Sequence, residues 1–110
     1  NPAALSQRIR KALLKTPPQQ WLDFRTLAQQ LHMSEATLQR RLKAEGLSYQ
    51  ELKNQIRCER ALFLLQHTPL SMQHISEQLN FHDPSAFHRA FKKWTGKNPS
   101  YYRSLVSEHR

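Results

Sequence analysis

Two clusters of side chains in this sequence have the types that pair with bases and phosphates. The first is Gln39, Arg40, Arg41 and Lys43, and the second is His88, Arg89, Lys92 and Lys93. Gln pairs bidentately with adenine and Arg with guanine, while any Lys or Arg can neutralise a phosphate. Rival chemistries find less support. Cys58 is the single cysteine, so neither an internal disulfide nor a paired-cysteine zinc finger can form. Arg57 and Arg60 beside it would lower a thiol pKa, which makes Cys58 the one candidate nucleophile. The same arginines serve equally as surface charge. The six His have no metal-ligand spacing of the HExxH kind. No catalytic residue, metal or cofactor is expected.

The charge points the same way. Lys and Arg number 17 against 8 acidic residues, a formal net charge of +9. An excess of that size on a small domain calls for a polyanionic partner. Nucleic acid comes first, an anionic membrane surface second, and a merely solvated basic surface is the bland alternative. The basic residues are spread over several segments instead of one amphipathic surface helix, which argues against the membrane. No run approaches the ~18 apolar residues of a transmembrane helix, and no signal peptide opens the chain. A lone thiol suits a reducing cytoplasm.

The elements that must position these clusters are helices. Length suggests one domain, and a 38% hydrophobic content with 2 glycines favours an ordered helical chain. Apolar residues recur at helical spacing and no strand-like alternation competes. Leu5, Ile9, Ala12 and Leu13 suit one face of a first helix, broken at Pro17 and Pro18. A second is expected over 23–31. Ser34 caps a third, ended by Gly46. Ser48 opens a long fourth helix, which His67, Thr68 and Pro69 end. Ser71 caps a fifth, Asp83 with Pro84 a sixth closed by Gly96, and Asn98 with Pro99 starts a seventh carrying Tyr102 and Val106. Trp21, Phe24, Phe63, Phe81, Phe87, Phe91, Trp94 and Tyr102 fall mostly at inward positions, as core instead of platforms for single-stranded bases.

Two stretches repeat. Leu27, Leu31 and Met33 match Ile75, Leu79 and Phe81 at an offset of 48 residues, and Leu38, Arg40 and Leu42 match Phe87, Arg89 and Phe91 at 49. Each copy reads as a short helix, a tight turn, a polar cap and a second helix, which is the helix-turn-helix layout. A packed helical hairpin would explain the apolar matches. It would not explain why each second helix carries polar or small residues early and a basic cluster late, the gradient a major-groove helix needs. The expected fold is therefore all-α: two tandem helix-turn-helix subdomains, residues 1–47 and 68–110, on either side of a linker helix at 48–67. At 1.5 Å per residue the linker is on the order of 28 Å long, against roughly 34 Å for one DNA turn.

The segment FHDPSAFHRAFKKWTGKNPSYYR, residues 81–103, resembles the signature of the AraC/XylS family of bacterial transcription regulators, and LAQQLHMSEATLQRRLKAEGLSYQEL, residues 27–52, resembles its first helix-turn-helix. The likeness covers about residues 5 to 105. It implies about seven helices, double-stranded DNA as partner and recognition helices at about 34–45 and 83–95 in successive major-groove segments of an asymmetric site. It implies a separate ligand-sensing or dimerisation domain, so this chain, which does not begin with Met, is expected to be the C-terminal piece of a longer regulator. Any small-molecule effector would act through that other domain, activation would involve RNA polymerase, and this piece alone would be a monomer.

Within that frame Ala36, Thr37, Gln39 and Arg40 on the first recognition helix, and Ser85, Ala86, His88 and Arg89 on the second, are the expected base contacts. Arg41, Lys43, Lys92, Lys93, Lys97 and Arg103 are expected at phosphates, joined by backbone amides at the caps Ser48 and Ser71.

Overall fold

Every helix after the first begins where a short polar side chain can satisfy an amide that the helix leaves without a partner. Asp23 accepts from the Thr26 amide (2.7 Å), Ser34 from Thr37 (3.1 Å), Ser48 from Glu51 (3.1 Å), Ser71 from His74 (3.1 Å), Asp83 from Ala86 (2.7 Å) and Asn98 from Tyr101 (3.1 Å). The computed structural model describes residues 4–108, with side chains to Leu105. The helices are α1 (Leu5–Leu14), α2 (Phe24–Gln30), α3 (Glu35–Ala44), α4 (Tyr49–His67), α5 (Met72–Gln78), α6 (Pro84–Thr95) and α7 (Pro99–Glu108), with a 3₁₀ turn at Pro18–Gln20. There is no strand among the described residues. The helix count and the capping residues agree with the sequence reading. Val106, expected on the inner face of α7, lies outside the described side chains.

The chain packs as two units that divide inside α4, between Ile56 and Arg57. The first core joins Leu5, Ile9 and Leu13 of α1 to Ala28, Leu38 and Leu42, and to Tyr49, Leu52 and Ile56 of α4. The second joins Ala61 and Leu65 to Ile75, Leu79, Phe87 and Phe91. The helix read as a linker thus gives its first half to one core and its second half to the other. Each unit is close to the roughly 55–65 residues at which a domain folds without staples.

The polar tips of half-buried Trp21 and buried Tyr49 tie loops to helices in the first unit. The Trp21 indole N–H donates to the carbonyls of Leu13 (3.1 Å) and Thr16 (3.0 Å) at the end of α1. The Tyr49 hydroxyl donates to the Leu22 carbonyl (2.7 Å), and burial pushes its pKa up. The start of α1 has no cap of its own. Glu45, just past the end of α3, supplies one: its carboxylate accepts from the Ser6 amide (3.1 Å) and the Ser6 hydroxyl.

Two expected core residues lie outside. Ala12 is exposed, because the buried face of α1 is the stripe Leu5, Ile9, Leu13, spaced by four, with Ser6 beside its start. Phe63 is 58% exposed. It stands two residues from both Ala61 and Leu65, about 200° around the helix from that buried stripe. Its ring packs on His67 at 4.8 Å between centroids.

The Glu45 cap is open to a pH test. Its bonds to Ser6, the side-chain one foremost, hold the carboxyl below its ordinary value of 4.5. A depressed folded pKa adds stability that is fully present above the unfolded value and lost as pH falls through the folded one. Glu45→Gln should therefore lower Tm at pH 7, and the gap to the parent should close as pH drops below about 4.5. A gap unchanged at pH 3 in thermal melts would contradict the cap.

Candidate nucleic-acid interface

The two helix-turn-helix units are built on the same backbone. α2 ends with His32 in the left-handed region (φ 59°), and α5 ends with Asn80 there (φ 63°). Both ends are Schellman closures. The His32 amide bonds the Gln29 carbonyl (3.1 Å) and the Met33 amide that of Ala28 (3.0 Å); the Asn80 amide bonds Glu77 (3.1 Å) and the Phe81 amide Ser76 (2.9 Å). These closures end the first helix and turn the chain within three residues into the cap of the second. A left-handed residue disfavours most L side chains, and Asn tolerates it better than His.

α3 and α6 are each anchored by two buried side chains four residues apart, Leu38 with Leu42 and Phe87 with Phe91. That anchoring fixes which side chains face out. On α3, Ala36, Gln39, Arg40, Arg41 and Lys43 are exposed, and Thr37 is half-buried with its hydroxyl accepting from Ser34 (2.9 Å). On α6, Ser85, His88, Arg89, Lys92 and Lys93 are exposed, and Ala86 is half-buried. Gly96 (φ 85°) closes α6, and the exposed Lys97 follows it, its Nζ 5.4 Å from the Tyr101 ring centroid.

Some expected contacts are brought together. Gln39 and Lys43 line an open groove with Ser48, Gln50 and Lys53 in the first unit. Ser85, His88 and Arg89 line another with Met72, Pro99 and Ser100 in the second. Ser48 and Ser71 are exposed caps, and their hydroxyls also meet Glu51 (3.2 Å) and the His74 Nδ1 (3.0 Å). Arg41 Nη1 approaches the Met33 sulfur at 3.9 Å, across the turn.

Arg103 is placed differently from the other cations. Its half-buried guanidinium donates to the carbonyls of Leu65 (3.3 Å), Leu64 (3.5 Å) and Thr68 (3.2 Å). It closes the C-terminal end of α4, where the helix dipole favours a cation, and joins the Thr68 amide and hydroxyl that already reach the Leu64 carbonyl. Cys58 is half-buried. Burial, with Glu59 adding, pushes its thiol pKa up, opposite to what a nucleophile needs.

Sequence reasoning missed Arg57, Glu45 and the indole of Trp21. Arg57 left a signal: it stands four residues before Ala61 and eight before Leu65, on the buried stripe of α4. Glu45 and Trp21 left none, because their partners Ser6 and Leu13 are set by tertiary packing.

A family model described as a helix-turn-helix domain matches residues 27–104. The chain belongs to the AraC-type helix-turn-helix family. It is 41% identical over 99 residues to the ornithine utilization regulator of Pseudomonas aeruginosa, covering 90% of this chain and 29% of that protein. The crystal structure of the transcriptional regulator CdpR, also from Pseudomonas aeruginosa, superposes with a TM-score of 0.80 at 37% identity, over 90% of this chain and 31% of that one. The DNA-binding domain of the global transcriptional factor AdpA, solved in complex with a target DNA, has a TM-score of 0.80 at 26% identity, over 96% of this chain and 95% of that one. The chain thus spans under a third of the length of the regulators CdpR and the ornithine regulator. The family fold is two helix-turn-helix units in an all-helical chain, as the sequence resemblance implied. No helix among the described residues is long and apolar enough to cross a membrane.

Arg103→Ala should cost about 1–3 kcal/mol of unfolding free energy, the range for a charged donor removed from its acceptors. Denaturant unfolding checks this. A variant as stable as the parent would return Arg103 to the surface cations.

Proposed function

We propose that this chain binds double-stranded DNA sequence-specifically, as the DNA-reading part of a bacterial transcription regulator. The single observation that carries the reading is that both units present a polar, outward-facing helix behind a helix-turn-helix turn, each with its basic residues late in the helix. A net charge of +9 supplies the long-range attraction. The AdpA domain, alike in fold over nearly all of this chain, was solved on DNA.

In this reading Ala36, Thr37, Gln39 and Arg40 of α3 meet base edges in one major-groove segment. Ser85, Ala86, His88 and Arg89 of α6 meet them in another. Gln39 and Arg89 have the greatest reach and the most distinctive pairing chemistry, Gln with adenine and Arg with guanine. Arg40 divides between base and phosphate. Arg41, Lys43, Lys92, Lys93 and Lys97 neutralise phosphates, and backbone amides at the exposed caps Ser48 and Ser71 add contacts. Arg103 serves α4 instead. Because α3 and α6 carry different side chains, the site is asymmetric.

The proposal includes no catalysis: the only thiol is half-buried with a raised pKa. Effector binding, dimerisation and contact with RNA polymerase belong to the longer regulator, acting in the cytoplasm. This piece alone is a monomer.

Titration of a selected duplex and a random duplex of equal length tests the reading. Gln39→Ala and Arg89→Ala should each cost about 1–3 kcal/mol on the selected duplex and little on the random one. Lys92→Ala and Lys93→Ala should weaken both duplexes alike, each lowering the slope of log affinity against log salt by about one. Equal losses on both duplexes for Gln39→Ala and Arg89→Ala would sink the base-reading assignment.

A further inference from the structure

The second turn is held by a cation that the DNA-reading surface does not use. Arg57 of α4 is half-buried. Its guanidinium carbon lies 4.4 Å from the Phe81 ring centroid and 5.6 Å from that of Trp94. The two rings are themselves 5.9 Å apart. Phe81 is in the turn just before α6, and Trp94 is in the last turn of α6. One planar cation therefore meets, from outside α6, both a ring of the turn that precedes the helix and a ring in its last turn. Arg suits this place because its flat, weakly hydrated group stacks on aromatic faces. Burial lowers the Arg57 pKa from its ordinary value, and the group keeps its charge all the same, since arginine does not deprotonate in proteins.

The turn of the first unit is filled differently. Its turn residue matching Phe81 is Met33, and the arginine reaching Met33 is Arg41, an exposed residue of the recognition helix itself. A contact within α3 and its own turn does not tie that helix to a neighbour. In the second unit the tie runs from α4 to the turn and to the far end of α6.

We propose that Arg57 is a positioning residue for base reading by α6: set against the Phe81–Trp94 ring pair, it holds the angle at which Ser85, His88 and Arg89 are presented. The inference rests on the DNA-binding reading above. Arg57 touches no base or phosphate in it, and acts only through the two rings. Loss of the clamp should loosen α6 against α4 while the anchors Phe87 and Phe91 keep it folded. Specific affinity depends on geometry held to a fraction of an ångström, whereas phosphate attraction does not. The signature is therefore a fall in discrimination, not in overall attraction.

The test compares Arg57→Met, Arg57→Lys and Arg103→Ala with the parent on selected and random duplexes, at a temperature where circular dichroism finds each folded. Arg103→Ala removes stability from the same unit without touching the clamp. Arg57→Met should lower the ratio of specific to random affinity about tenfold, the effect of one good base contact. Arg57→Lys, which keeps the charge but not the flat stack, should recover part of that ratio. Arg103→Ala should leave it unchanged. Amide exchange in α6 should quicken in Arg57→Met more than in Arg103→Ala. If Arg57→Met keeps the parent's ratio, or if Arg103→Ala lowers it as much, the positioning role is wrong. Should Arg57→Met fail to fold, Arg57→Lys decides alone: a reduced ratio supports the role and a parental ratio overturns it. A parent that binds both duplexes equally would overturn the DNA-reading proposal itself, a result separate from either of these.

Discussion

Everything that faces outward on the two recognition helices does so because two side chains on each are pinned inward. Leu38 and Leu42 on α3, and Phe87 and Phe91 on α6, are spaced by four and almost fully buried. Two anchors on one stripe leave a helix no freedom to rotate about its axis. The same anchors set Gln39 and Arg40, or His88 and Arg89, on the exposed side in each copy. Replacing a buried Phe by Ala costs about 3–5 kcal/mol, a large part of the 5–15 kcal/mol that holds a typical domain together. In the proposed reading mode, base contact and folding therefore depend on the same few residues, and variants meant to probe base contact must avoid them.

The two units share a backbone and differ in what fills it. Their turns close with the same pair of hydrogen bonds around a left-handed residue, His32 in one and Asn80 in the other. The first core is mostly aliphatic. The second holds a chain of rings: Phe81, Phe87, Phe91 and Tyr102, with neighbouring centroids 5.4 to 5.6 Å apart and Trp94 beside Phe81. Aromatic pairs of this geometry add to what burial supplies. The ring cluster also gives Arg57 a surface to stack on, which the matching residues of the first unit do not provide. Unequal cores and unequal outward faces fit one chain that reads two different half-sites.

Much of this was legible in the sequence because it is local. Ser34, Ser71 and Asp83 announce helix starts by their type and place, and Gly46 and Gly96 announce ends. The offsets of 48 and 49 residues between Leu31 and Leu79, and between Leu38 and Phe87, expose the repeat before any coordinate is known. What stayed hidden depends on contacts between distant residues. Glu45 reaches Ser6 and Arg103 reaches Leu65, across sequence separations of 39 and 38. No pattern in either neighbourhood tells a capping carboxylate or guanidinium from a solvated one. Phe63 misled for the opposite reason: an aromatic at helical spacing is usually core, and only the stripe through Ala61 and Leu65 decides that it faces out.

The central claim is that two unequal helices of one chain read DNA bases. Selection of bound sequences from a pool of random duplexes tests it most directly, since it presumes no operator. The account predicts enrichment of an asymmetric site with two separate informative segments. Arg89→Ala should erase preference in one segment and Gln39→Ala in the other. A pool that stays random after repeated selection, while the chain still binds duplex DNA at low salt, would contradict it.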